Sequence, residues 1–408
     1  MCTNSRYLFV LFAIFSGQAL AKIHHHTSGI VQAGYVVADS QTSFLNKGTG
    51  TLRHDENSLI LQQAIVQVDS TWTSSFSSTL VLNAYTDGEQ SIAPSQVQIK
   101  YQPIIKTEIK YSLRIGMFYP ELSVENTDTG WLSPDTYTQS AINTWFGEEL
   151  RIFGAEASLF KSGRRSASPW SWDAKIGLYK GNDPIGSVIA WRGFGMHDRQ
   201  SLFNERVEFA AYPFVVSNEG INHPSWVEPF HELDSRFGGY LGVHLNYLRR
   251  TEFKYYRYDN FADPNAVNSQ RLYAWRTKFH SLALNHKVSK NWQVKSQLLH
   301  GSTLMGNNFV HVDYTAGFLQ STYAVSATSK ITARIDVFDV SERDDIPEDV
   351  NTSFGHAITL NYQYNINQQW RIGSEIHLNK NTALNRRSLG VLPQQHERQW
   401  LLIADYRF

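Results

Sequence analysis

The chain has 408 residues with 37 Lys+Arg against 37 Asp+Glu, so its formal net charge is zero. Such balance argues against a nucleic-acid binder, which carries a basic surplus or stripe. A single cysteine, Cys2, and the lack of any apolar run near roughly 18 residues after the amino-terminal segment exclude a disulfide scaffold and a helical membrane protein.

From the amino end, Arg6 supplies a positive charge, Tyr7 to Phe15 an apolar stretch, and Ala19-Leu20-Ala21 a small-residue cleavage site. This is the pattern of a secretory signal peptide over 1–21, with a mature chain from Lys22. Cys2 precedes the apolar stretch and does not sit at the cleavage site, so a lipid anchor is not expected, and the mature chain is left without cysteine. A start at Lys22-Ile23-His24 also places a free amine, two amides and an imidazole in one chelate, a square-planar nitrogen set suited to Cu(II) or Ni(II). The bland alternative for His24-His25-His26 is a flexible periplasmic tail.

Past the signal, segments of period-two alternation recur along the chain. They predict strands over 29–38, 58–69, 75–85, 95–103, 108–118, 149–160, 171–180, 238–249, 252–259, 272–286, 292–303, 312–327, 330–340, 354–365, 369–379 and 398–408, sixteen in all. In 108–118, Ile109, Tyr111, Leu113, Ile115 and Met117 fall on one face and Lys110, Ser112 and Arg114 on the other. In 369–379, Trp370, Ile372, Ile376 and Leu378 oppose Arg371, Glu375 and His377. Two segments break phase. The doublet Gln62-Gln63 interrupts the second strand, and the tenth shifts around His280 to Leu282; a bulge is the expected cause of each. Connections alternate short and long throughout, for example 70–74 and 249–251 against 39–57 and 181–237.

Two connections stand out. Tyr119 to Glu148 carries Glu121, Glu125, Asp128, Asp135 and Glu148 with no Lys or Arg, whereas the polar strand faces hold Lys100, Lys110, Arg114, Lys175, Lys278, Lys295, Arg334 and Arg371 against fewer acids such as Glu156, Asp336 and Glu375. Gly181 to Phe237 is too rich in aromatic residues, Trp191, Phe194 and Trp226 among them, to be disordered. It is expected to cover the mouth or descend as a partial plug, with 187–195 as a possible extra strand. Its His197-Asp198-Arg199 and nearby Ser201 invite a catalytic reading, but a loop salt bridge accounts for them more simply.

The chain ends on Trp400, Leu402, Ala404, Tyr406 and Phe408 along one strand face, with Gln399, Asp405 and Arg407 on the other. This ending resembles that of bacterial outer-membrane β-barrels, whose last strand closes on a terminal Phe with an aromatic two residues before it. The resemblance implies that Tyr406 and Phe408 are read by the barrel assembly machinery of a Gram-negative cell. It also fits the negative mean hydropathy, since a barrel hides its apolar residues at alternate positions and lines its lumen with polar ones.

The reading is therefore an all-β, transmembrane antiparallel β-barrel of about sixteen strands in the outer membrane, with both ends at the periplasm. A barrel of that size leaves an aqueous channel. Tyr119 to Glu148 is similar in placement to the loop that folds inward in general porins; the alternative for it is a solvated acidic lid outside the barrel. The expected constriction thus sets Glu121, Glu125 and Asp128 across from Lys100, Lys110, Arg114, Arg334 and Arg371, an electrostatic filter. The function expected is passive diffusion of small hydrophilic solutes or ions, without cofactor, in contact with membrane lipid and with homo-oligomers open. The alternatives are a binding or adhesion platform with a closed barrel and, behind it, an outer-membrane hydrolase. Outer-membrane phospholipases carry a Ser and a His on the lipid-facing wall of a smaller barrel, and no such pair is evident here.

Overall fold

The computed structural model describes residues 23–408. The signal-peptide segment 1–21, with Cys2, and the expected first mature residue Lys22 lie outside them. The wall begins with β1 (His24–Asp39), β2 (Ser58–Thr71), β3 (Phe76–Ala84), β4 (Ile92–Tyr101), β5 (Ile109–Phe118), β6 (Ile152–Lys161) and β7 (Trp170–Lys180). It resumes with β10 (Gly238–Tyr247), β11 (Thr251–Asp259), β12 (Arg276–Lys287), β13 (Trp292–Met305), β14 (Val310–Ala324), β15 (Ser329–Glu342), β16 (Ser353–Asn365), β17 (Trp370–Ala383) and β18 (Gln394–Arg407). Between them, β8 (Val207–Glu208) and β9 (Trp226–Val227) pair only with each other. The sixteen wall strands form one closed antiparallel barrel in which each strand adjoins its chain neighbour and β18 returns to β1. Closure leaves no free strand edge in the wall, as a structure standing in hydrocarbon requires.

Alternation along the strands decides which face meets what. Trp400 and Leu402 are exposed outward while Leu401, Ile403 and Asp405 are buried inward. Ile109, Tyr111, Leu113 and Ile115 line the outside of β5, and Ser112 and Arg114 its inside. One end of the barrel carries the tight turns, including 72–75, 248–250, 288–291, 325–328 and 366–369, together with an outward aromatic girdle of Trp72, Phe76, Trp170, Tyr247, Trp292, Tyr323, Trp370 and Tyr406. Short turns mark this as the periplasmic end. The seam is closed by Phe408, whose backbone N–H donates to Gly29 at 3.2 Å while the Gly29 N–H donates to Phe408 O at 3.0 Å.

The register explains one phase break and removes the other. Gln32 pairs with Gln63 and Ala33 with Leu61, so Gln62 is the extra residue of a bulge and both glutamines are buried inward. β12, by contrast, pairs without a shift against β11 and β13. Its phase is set by Phe279, which points inward to an aromatic core, and Lys278 consequently stands on the outer face, not in the lumen. The histidines His24 to His26 do not form a flexible tail, because β1 already pairs there, His24 opposite Thr71 and His26 opposite Asp69.

Both long connections enter the barrel. Residues 119–151 hold α1 (Ala141–Glu149), where a strand was expected to begin at 149. Ser140 caps it by accepting from Asn143 N–H, and Ile142, Trp145 and Phe146 sit at helical spacing. Within 181–237, α2 (Ser187–Trp191) replaces the extra strand expected over 187–195, and α3 (Pro213–Val216) starts on a proline suited to a first helical turn. Trp145, Phe146, Phe194, Phe279 and Tyr314 pack ring against ring, filling part of the outer half of the lumen with an apolar core.

Candidate functional site

The loop after β5 is fastened to the inner wall at successive points. Glu121 keeps 47 % of its side chain exposed, lies 3.1 Å from Lys175 Nζ and 3.6 Å from the Arg114 guanidinium. Arg114 also binds Glu156 at 2.9 Å and lies over the Phe118 ring. Further along, Glu125 meets Arg334 at 2.8 Å with neither side chain exposed. The same guanidinium donates to Asp336, Thr138 O and Gln139 O. Asp128 caps Thr129 and binds Arg407 at 2.7 Å. Asp135 sits between Lys295 and Lys330, 2.8 Å from each. Arg371 binds Asp405 at 2.9 Å and reaches Pro134 O.

The acids and bases foreseen as facing one another thus fall into two groups. Glu125, Asp128, Arg334 and Arg371 join loop to wall directly, so their charges are spent on anchoring. Glu121 also joins loop to wall but stays half-exposed, and Arg114 is buried between it and Glu156; Lys100 is registered opposite Arg114, and neither Lys100 nor Lys110 has an ion-pair partner among the described residues. Sequence reasoning missed the reciprocal half of the anchor. Glu375, on β17, accepts from the Tyr137 and Thr138 N–H groups, and Asp405 accepts from Tyr137 Oη at 2.8 Å. Only the inward phase of β17 and β18 hinted at it, since a buried wall carboxylate has to find donors.

On the extracellular side the two inner loops meet at Glu148 and Glu149. Burial pushes the Glu148 carboxyl up, but Arg192 and His197 beside it more than offset this and hold it at about 2. His197 is itself pushed down, chiefly by burial. Glu149 accepts from Trp145 Nε1 and from the N–H groups of Gly186 and Val188, yet lacks a cation; burial raises it to about 7. Above them opens a vestibule of about 620 Å³ lined by Arg53, Asp87, Arg199, Ser201 and Glu208 among others. Here the His197-Asp198-Arg199 run is committed to structure: His197 to Glu148 at 2.9 Å, Asp198 to Arg53 at 3.2 Å, and Arg199 to Asp87 and Glu205. Ser201 Oγ donates to Glu148 O and makes no contact with His197 in the hydrogen-bond network. For His24, the strand pairing with Thr71 competes with wrapping around a metal. Among the described residues the groupings with metal-ligand spacing are Glu121, Asp173 and His244, where Lys175 lies 2.7 Å from Asp173, and Asp183, Glu232 and Asp234.

The closed sixteen-stranded wall, its outward apolar face and the in-folded loop after the fifth strand define an outer-membrane β-barrel of porin architecture. Solved structures bear this out. The outer membrane channel DcaP of Acinetobacter baumannii superposes with a TM-score of 0.60 at 10% identity, over 96% of this chain and 99% of that one. The anion-selective porin from Comamonas acidovorans gives 0.55 at 10% identity, over 95% and 100%. OmpT in its trimer form, an outer membrane protein of Vibrio cholerae, gives 0.55 at 10% identity, over 95% and 99%. At such identities the likeness is one of fold. No protein-family model matches the sequence, and no curated protein matches it.

Proposed function

We propose that the chain is a porin-like channel of the Gram-negative outer membrane that passes small hydrophilic solutes or ions by passive diffusion through a bore narrowed by its two in-folded loops. The observation that carries this reading is the half-exposed Glu121 beside Arg114 and Lys175, with Lys100 and Lys110 unpaired nearby, inside a wall wide enough for water. A polar, charge-bearing lining next to open space favours hydrated solutes over apolar ones. Membrane lipid and the barrel assembly machinery are the partners this reading requires, and the trimer form of the Vibrio cholerae neighbour supports a homo-oligomer.

The aromatic core in the outer half of the lumen favours a second reading, a closed barrel serving as a binding platform. Purified protein in planar lipid bilayers separates the two. A channel conducts in discrete steps, and a variant trimmed within 203–227 conducts in larger ones. Silence from both proteins, when folded, would leave the platform.

A further inference from the structure

The outer wall carries a feature that solute passage does not use. Arg257 on β11, His280 on β12 and His300 on β13 are directly opposed across the ladder and all three are exposed outward. Neighbouring strands lie about 4.8 Å apart, so the three side chains form one lateral row. Lys278 stands outward two residues further up β12. Each imidazole is held through Nδ1, His280 by Tyr255 Oη at 2.8 Å and His300 by Thr315 Oγ1 at 3.0 Å, which leaves each Nε2 without a protein partner among the described residues. Among the described residues, neither Arg257 nor Lys278 makes an ion pair. Of the acids on this face, Asp259, opposite Lys278, is bound by Arg276 at 3.0 Å and Asp313 by Arg343 at 2.6 Å; Asp339, exposed on the same row across Thr315, accepts from Ser341 Oγ.

Depth identifies what meets the row. His300 stands eight residues up β13 from Trp292 of the periplasmic girdle. At about 3.3 Å per residue and a tilt near 40°, that is roughly 20 Å, close to the top of an apolar band about 25 Å tall. Directly below, Tyr255, Leu282, Leu298 and Leu319 are exposed as an apolar lane. A basic row above an apolar lane matches a lipid with an anionic head and acyl tails. A water-soluble anion would have no use for the lane, and a protein partner would leave the basic row facing headgroups.

We propose that Arg257, Lys278, His280 and His300 form a site on the barrel wall for the phosphate headgroup of an outer-leaflet lipid. The guanidinium and ammonium supply charge, the two Nε2 atoms supply further polar contacts, and the lane below takes the chains.

The test uses the folded protein in nanodiscs of phosphatidylcholine containing a minor fraction of phosphatidic acid, with bound lipid counted by native mass spectrometry after extraction. The wild type retains phosphatidic acid over phosphatidylcholine, and R257Q with K278Q lowers that preference about fivefold per cation removed. H280Q with H300Q, which leaves the charge of Arg257 and Lys278 in place, lowers it by a smaller factor. Heat-modifiable mobility confirms that each variant is folded, and Lys380→Gln, outward on β17 away from the row, serves as the control with unchanged preference. Equal retention of both lipids by the wild type, or an undiminished preference in R257Q with K278Q, overturns the site. Competition by millimolar inorganic phosphate overturns the lipid as its ligand.

Discussion

Arg334 shows how single side chains fix the inner loop. Its guanidinium is fully buried against two carboxylates, Glu125 and Asp336, and two backbone carbonyls. Removing it strands both carboxylates in a low-dielectric interior, a loss usually of about 3–5 kcal/mol when one partner of a buried pair is deleted. R334A should therefore lower the denaturant midpoint of the folded barrel sharply in detergent. Asp128→Asn, which breaks the more exposed contact to Arg407, should cost about 1 kcal/mol or less. If the two variants melt alike, anchoring is not centred on Arg334.

Glu149 gives a pH-dependent counterpart. Its folded value of about 7 lies above the ordinary carboxylate range because it is buried without a cation. Between the two values the folded state holds a proton that the unfolded state has released, so stability must fall as pH rises through this window. The contribution is fully present below about pH 4.5 and gone above about 7. Glu149→Gln should flatten the stability profile across that range by a few kcal/mol and leave the protein more stable above neutrality. A profile with the same slope in the variant would place the titrating group elsewhere.

At the scale of elements, all sixteen wall strands were expected, most from clean alternation; the second and tenth broke phase, and of the two bulges expected there only the one at Gln62-Gln63 is present. What misled was packing at a distance. Phe279 points inward because Trp145 and Phe146 arrive there from α1, and nothing within β12 announces that; the inward reading of Lys278 failed for this reason. Residues 187–195 looked strand-like because Val188, Ile189 and Trp191 favour extended structure, yet the segment lies inside the lumen, where a helix satisfies its backbone without an edge partner. Of the candidate site, the acidic loop and the basic wall were both legible. Which charges would touch was not, since that depends on how far the loop reaches across the barrel. β18 is the element whose end carries a prediction of its own. Deleting Phe408 removes the backbone pair to Gly29 and the terminal aromatic, and should strongly reduce the heat-modifiable folded form in outer membranes. Normal amounts of that form would sink the role of the terminal residue in assembly.

For the whole molecule, the question is how charge directs traffic through the bore. Lys100, Lys110 and Arg114 share one stretch of wall, with Glu121 set against them. Replacing the three bases by Gln should move the reversal potential in a salt gradient towards cation preference, and Glu121→Gln should move it towards anions. Exposed charges beyond roughly 10 Å are screened at about 0.1 M salt, so only groups lining the narrow part will register. Conducting channels unaffected by either change would put the narrowing beside 181–237.

The seam between β1 and β18 also governs when this protein can come into being. Gln32 and Asp405, which touch across it, are 373 residues apart in the chain. Bringing ends so distant together costs about 5 kcal/mol in loop-closure entropy alone, recovered only when the final ladder zips. Because the partner of the first wall strand is the last wall strand, the barrel cannot close until β18 has been made. The pairing that completes the wall joins distant parts of the chain, which makes its kinetics those of a high-contact-order fold. Shielding is therefore a demand written into the topology: strands β1 to β17, however well they pair, remain an open sheet with two adhesive edges until β18 is in place.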